Sequence, residues 1–268
     1  MVADFTNKVV LVTGASAGIG EAIALLFAKL GAKLAIVGRD AGNLGSVAKR
    51  CQAEKGLAPL AIVADLATDA GCDKTAKDTL VHFGRLDVLI NNVGVGARTC
   101  IQRADMETFD RVFSTNVRGV YNLTRQLVPA LIKSKGNIVN ISSIAGTCVS
   151  VGSLPYGMSK AALDHFSKLI ALELAPLGVR VNTVSPGVTI SKFVQRLTDY
   201  TEEQYQAWLQ EASGSIPLGR VCSGEDIAKM VAHLASDELS ALVTGTVVQV
   251  DGGLQYSSVG GLMQKQMK

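Results

Sequence analysis

The chain has 268 residues, a formal net charge of +3 with both signs interspersed, and a composition that is 48% hydrophobic and 18% charged. Such a chain suits one large globular domain or two small ones around a sizeable core. With no basic block and no aromatic-basic interleaving, the composition speaks against a nucleic-acid partner.

MVADFTNKVV lacks the basic-then-apolar order of a secretory leader. The apolar runs are broken by Lys29, Lys33 and Arg39, short of the roughly 20 residues a membrane helix needs. Five scattered cysteines without CxxC spacing fit a reducing compartment and no disulfide framework or zinc site. A cytoplasmic protein is expected.

In chain order, short β-branched runs alternate with helical stretches. VVLV (9–12) precedes a helix-like EAIALLFAKLG (21–31). LAIVG (34–38) precedes a polar helical stretch to about Gly56. LAIVA (60–64), DVLIN (87–91), NIVNIS (137–142), VRVNTVS (179–185) and VVQV (247–250) follow. Helical patterns separate them, the clearest at 158–178. Apolar strands with little alternation are buried on both faces. The pattern predicts an α/β fold: a single-domain, Rossmann-type, doubly wound sheet of about seven parallel strands flanked by helices. One domain spans 1–268, with an irregular insertion at 189–223 and a tail at 257–268.

On such sheets ligands bind beyond the carboxyl ends of the strands. After VVLV comes TGASAGIG (13–20). Gly14, Gly18 and Gly20 permit a tight turn and close approach to a pyrophosphate, which a helix N-terminus then faces. At the end of the second strand, IVGRD (36–40) has Gly38 where an NAD-type acid often stands, followed by Arg39. An arginine there suits the 2′-phosphate of NADP, so NADP(H) is favoured over NAD(H). Asp40 reaching the ribose, with Arg39 an ordinary solvated charge, is the competing reading. Asp65-Leu66 after the third strand is placed for the adenine, and NNVG (Asn91, Asn92, Gly94) for the passage beneath the cofactor.

Pro155, Tyr156 and Lys160 open a helix. Four residues apart, Tyr156 and Lys160 share one face. A nearby ammonium favours the phenolate of a tyrosine that otherwise titrates near ~10, which suits general acid-base work. Ser142 and Ser143 end the preceding strand, where a serine can hydrogen-bond a bound carbonyl. Asn116 interrupts a helix-like stretch and marks either nothing or a local distortion that exposes a backbone carbonyl.

With these motifs in this order, the chain resembles the short-chain dehydrogenase/reductase family over about residues 5–256. TGASAGIG matches its TGxxxGxG, NNVG its NNAG with Val93 as a departure, and Tyr156-x-x-x-Lys160 its YxxxK. SPG (185–187) matches its PG motif and VDGG (250–253) its last strand end. The resemblance implies that Tyr156 exchanges a proton with the substrate oxygen and that Ser143 orients the carbonyl. Lys160 assists the tyrosine and binds the nicotinamide ribose, and Asn116 holds a relay water. It adds Ser16, Ile19, Pro186, Gly187, Val188 and Ser191 to the cofactor contacts, with Thr189 a rival for the place of Ser191. No metal is implied, and His82, His165 and His233 fit no zinc pattern. A homotetramer or homodimer is implied, through helices near 105–133 and 156–176 or through the last strand.

For the substrate, Ala145, Val149 and Leu154 of the serine loop, with Phe193 and Trp208 of the insertion, predict an apolar pocket. Phe193, Tyr200, Tyr205 and Trp208 either wall that pocket or pack a helix onto the core. With no basic cluster in the serine loop, a lipophilic ketone or alcohol (a steroid, isoprenoid or xenobiotic carbonyl) is the main expectation. A 3-oxoacyl thioester reductase and an NAD-dependent alcohol dehydrogenase are the alternatives. A dinucleotide-binding protein without turnover is the remote one, disfavoured by the intact Ser-Tyr-Lys set.

Overall fold

In a computed structural model of the protein, which describes residues 3–198 and 200–257, all seven expected strands form one parallel sheet. They are β1 (Val9–Thr13), β2 (Lys33–Gly38), β3 (Leu60–Val63), β4 (Val88–Asn91), β5 (Asn137–Ile141), β6 (Arg180–Pro186) and β7 (Val247–Val250). Their order is β3-β2-β1-β4-β5-β6-β7. The chain runs outward from β1 to β3, then returns to place β4 on the other side of β1. The crossovers on either side of β1 therefore diverge, leaving a crevice above its carboxyl end.

The helices are α1 (Gly18–Lys29), α2 (Ala41–Lys55), α3 (Asp69–Phe83), α4 (Met106–Phe113), α5 (Val120–Ser134), α6 (Leu154–Leu174), α7 (Lys192–Gln195), α8 (Glu202–Ser215), α9 (Gly224–Ala235) and α10 (Asp237–Ser240). Side chains alternate across the sheet. Val10 and Val12 face Ile23 and Phe27 of α1 and Ile227 and Val231 of α9. Val9 and Leu11 face the opposite layer, with Leu123, Leu127 and Leu131 of α5 and Ala171 of α6. Burial of strands on both faces is why the sequence shows little alternation there.

On α5 and α6 the apolar residues divide. Val120, Leu123, Leu127 and Leu163 belong to the core, whereas Leu169 and Leu172 are 56% and 80% exposed. The exposed Tyr121 lies 5.7 Å from the Phe166 ring beside them. Between β6 and α9, Tyr205, Leu209, Ile216 and Val221 form a small cluster of their own. The expected 257–268 tail lies, past Ser257, outside the described residues. No helix among the described residues is long and apolar enough to cross a membrane.

Candidate active site

The glycine turn between β1 and α1 is built for close approach. Gly14 (φ +66) and Gly18 (φ +62) adopt the left-handed region, which glycine enters without strain. A Cβ on Gly20 would stand 2.2 Å from the Gly14 carbonyl oxygen. Asn92 pins the turn from β4: its Nδ2 donates to the carbonyls of Thr13 and Gly14 at 2.9 and 3.2 Å. The turn forms one end of a cleft of about 1020 Å³ along the carboxyl ends of the strands.

At the end of β2 a Cβ on Gly38 would fall 1.9 Å from Ser16 Oγ. A side chain there would force the Ser16 hydroxyl out of its present position. The Ser16 hydroxyl is buried without a hydrogen-bond partner, although its residue borders the cleft. A buried hydroxyl of this kind is normally satisfied, and the hydroxyls or phosphates of a bound nucleotide would satisfy it. The glycine cradle and this orphaned oxygen together fit a nicotinamide dinucleotide. Arg39 lines the same end, 3.9 Å from the Asp65 carboxylate and 62% exposed. Asp40 is committed to capping α2: it accepts from the Asn43 amide at 2.9 Å and from Asn43 Nδ2 at 2.6 Å. These bonds, the backbone one foremost, hold its carboxyl below the usual range.

At the other end, α6 begins at Leu154 with Pro155 in its first turn and brings Tyr156 toward Ser143 at the end of β5. Ser143 also accepts from the Ala145 amide at 3.2 Å, holding the loop after β5. Burial pushes the Tyr156 phenol above its ordinary value, and a hydrogen bond with the Ser143 side chain pulls it down. The downward pull thus comes from Ser143, where the sequence pointed to Lys160. Lys160 Nζ lies 5.8 Å from the Tyr156 ring centroid and donates to the Ile141 carbonyl at 2.8 Å. Burial lowers its pKa to about 8 against the opposing effect of Asp164. Gly94 leaves room beside that ammonium: a Cβ there would stand 3.5 Å from Nζ.

Asn116 sits in a π-helical turn, Ser114–Gly119, joining α4 to α5. This is the distortion that the sequence raised as one reading. Its side chain is fully engaged elsewhere. Oδ1 accepts from the Val95 amide at 2.8 Å, while Nδ2 donates to the Val95 carbonyl and Ser159 Oγ, each at 2.9 Å. Asn116 thus ties the loop after β4 to α6 from behind, and its side chain is not part of the cleft wall.

Of the expected cofactor residues, Gly14, Ser16, Gly18, Ile19, Gly20, Arg39, Asp65, Leu66, Asn92 and Gly94 line the cleft. So do Pro186, Gly187, Val188 and Ser191 after β6. Asn91 does not. It is buried and donates to Thr124 Oγ1 and Asn140 Oδ1 at 3.1 and 2.8 Å, bonds that fasten β4 to α5 and β5. Of the expected substrate residues, Ala145, Phe193 and Trp208 line the cleft, but Val149 and Leu154 do not. Val149 is fully exposed on the loop tip, and Leu154 starts α6 with its side chain outside. The two readings of the insertion's aromatics divide by residue. Phe193 packs 5.4 Å from the Tyr156 ring, and Tyr200 and Trp208 also line the cleft. Tyr205 is buried in the insertion's own cluster, its hydroxyl donating to the Ser191 carbonyl at 2.9 Å.

Among the cleft residues that the sequence reading did not single out are three basic ones, Arg98, Lys192 and Arg196. They come from the loop after β4 and from the insertion, whereas a basic cluster was sought only in the serine loop. Burial raises the Cys51 and Cys72 thiols to about 11, as befits packing residues. No group of three or more metal-binding side chains is assembled among the described residues.

Residues 14–255 match the family model described as Enoyl-(Acyl carrier protein) reductase. A 3-oxoacyl-[acyl-carrier-protein] reductase from Thermotoga maritima is 37% identical over 250 residues, 92% of this chain and 98% of that protein. Among solved structures, a short-chain dehydrogenase/reductase of unknown function from Caenorhabditis elegans, crystallised with cofactor, superposes with a TM-score of 0.90. It is 33% identical over 94% of this chain and 96% of its own. L-Sorbose reductase from Gluconobacter frateurii, complexed with NADPH and L-sorbose, gives 0.89 at 31% identity, over 95% and 99% of the two chains.

Proposed function

The chain belongs to the short-chain dehydrogenase/reductase family and is an NAD(P)-dependent oxidoreductase, and on that premise we propose that it reduces the 3-oxo group of an acyl thioester to the alcohol, with NADPH. The cleft carries this reading. It joins the Ser143-Tyr156 pair to an apolar wall of Phe193 and Trp208, and Arg98 and Lys192 border the same cleft, while Arg196 acts on Asp40 toward its nucleotide end. A 3-oxoacyl thioester has matching parts: an apolar chain, a ketone, and a phosphate-bearing carrier arm. The matching family model and the Thermotoga relative are both reductases named for acyl groups on a carrier protein. The basic residues that would have argued against a purely lipophilic ketone are supplied by elements other than the serine loop.

The bound dinucleotide would supply the hydride. Tyr156, kept protonated by burial, donates its phenolic proton to the ketone oxygen. Ser143 hydrogen-bonds both that oxygen and the phenol. Lys160 supplies positive charge beneath them and would hold the ribose hydroxyls of a bound dinucleotide. Asn116 fixes the relative position of the loop after β4 and α6. Gly38, the unpaired Ser16 hydroxyl, Arg39 and the capping duty of Asp40 support NADPH over NADH. Residues 189–223 serve as the lid of a single catalytic domain, and the exposed apolar face of α5 and α6 as a subunit contact.

The test is NADPH oxidation with 3-oxobutanoyl-coenzyme A beside a neutral lipophilic ketone of similar size. The thioester should be reduced with the higher kcat/KM. Tyr156→Phe should lose about 10²-fold or more in rate while still binding NADPH. A clear preference for the neutral ketone would overturn the thioester reading. Undiminished activity in Tyr156→Phe would overturn the proton-transfer scheme.

A further inference from the structure

Behind Lys160, on the same helix, lies a buried carboxylate that the proposed reaction leaves unused. Asp164 follows Lys160 by one turn of α6, so the two side chains project from the same face. They are 7% and 3% exposed. Asp164 Oδ1 is buried with no hydrogen-bond partner. An ionised carboxylate in that position is costly unless a cation compensates it.

Its surroundings connect it to the reacting groups in two ways. The Ser142 hydroxyl, adjacent in sequence to Ser143, has one proton to share between the Lys160 carbonyl, 3.3 Å away, and the Asp164 carboxylate, whose pKa it lowers. The loop after Ser143 rests directly on that carboxylate: a Cβ on Gly146 would stand 2.9 Å from Asp164 Oδ2 and 3.0 Å from the Lys160 carbonyl carbon. Away from the cleft, Asp164 borders a second cavity of about 510 Å³, with Thr147, His165, Lys168 and Gln249 among its walls.

We propose that Asp164 is a positioning residue, the buried counter-charge of Lys160 and the brace of the loop that carries Ser143. The electrostatics run the same way. Burial raises the Asp164 carboxyl above its ordinary value, and Ser142, Lys160 and Lys168 oppose that rise only in part. Burial alone would strip Lys160 of its proton more readily, and the negative charge of Asp164 opposes that loss. The charged or titratable neighbours facing Asp164 are Lys160, His165 and Lys168, all on α6. The serine loop and the Gly245–Gln249 side of the second cavity bring only neutral side chains. No other carboxylate contributes to the Lys160 shift, so the effect of Asp164 is separable.

Asp164→Asn keeps the shape and the acceptor for Ser142 but removes the charge. The inference rests on the role given to Lys160 above, so the first readout needs no substrate: an NMR titration of the Lys160 side chain in ¹³C-lysine-labelled protein, assigned with Lys160→Arg. Its midpoint should fall by about 1 pH unit in Asp164→Asn. With a reducible ketone, the alkaline limb of the kcat profile should move down by the same amount, with the rate at mildly acidic pH retained. Asp164→Glu should restore both. An unchanged Lys160 midpoint, or a loss of rate that is uniform across pH, would overturn the counter-charge role. If Asp164→Asn does not fold, the carboxyl carbon of Asp164 is titrated in the wild-type chain, and an aspartic acid protonated throughout the active range refutes the proposal. Failure of turnover in every variant and in the wild type would instead count against the reaction proposed above.

Discussion

Replacing Arg39 by alanine separates the two cofactors most directly. The guanidinium is 62% exposed, and its ion-pair partner, Asp65, lies 3.9 Å away and is itself 44% exposed. An exposed pair of this kind stabilises the fold by roughly 0–1 kcal/mol, so the variant should unfold at nearly the wild-type denaturant concentration. The 2′-phosphate is a different matter. Two unit charges 4 Å apart interact by about 1 kcal/mol in water and about 4 kcal/mol near a protein surface. With most of the Arg39 side chain in solvent the lower half of that range applies, and about 1.4–2 kcal/mol corresponds to a roughly 10- to 30-fold weaker NADPH Kd. NADH lacks the phosphate, so its Kd should stay within about twofold by the same reasoning. Titration by nicotinamide fluorescence at two salt concentrations reads all of this. The NADPH penalty should shrink as salt screens the exposed charge. Equal weakening of both cofactors, or of neither, would return Arg39 to the solvent and reopen Asp40 as a ribose ligand despite its capping bonds.

Asn116→Ala removes both hydrogen bonds to Val95 and one to Ser159 in a fully buried position. It should cost about 2–4 kcal/mol of stability, read from urea denaturation. A loss below about 1 kcal/mol would mean that water replaces the asparagine. The carboxyl of Asp226 is held well below its usual range by the Arg220 fork, at 2.7 and 2.9 Å, and by Ser223 at the start of α9. Its folded-state pKa lies below the unfolded one, so its stabilising effect is complete above the unfolded value and disappears as pH falls toward the folded one. The stability difference between wild type and Asp226→Asn should therefore be widest near neutrality and close on acidification. A difference independent of pH would assign the effect to hydrogen bonding alone.

The strands were legible because most are short runs rich in apolar residues; those at the centre of the sheet are buried on both faces by helices, whereas β3 at the edge is largely exposed and β7 only partly buried. The glycine turn was legible because its backbone demands glycine: a Cβ on Gly20 would run into the backbone of Gly14. Tyr156 and Lys160 were legible because one helical turn relates them. Asn91 and Asn92 were harder. Adjacent in a strand end, they point to opposite faces, one into the sheet-helix core and one toward the glycine turn. A motif read as a unit does not say which is which.

By itself, the chain's pattern of apolar runs and glycines determined a parallel sheet, a phosphate-binding turn at its first crossover and a tyrosine-lysine pair on one helix, because these depend on local spacing and backbone conformation. Only the tertiary structure decided what lies opposite what. It placed Arg98, Lys192 and Arg196 on one cleft from segments about a hundred residues apart, turned Val149 and Leu154 away from it, and set Asp164 beneath Lys160 against the loop of Ser143. Charges interact through space, in a dielectric that burial defines, and neither distance nor burial is written in the order of the residues.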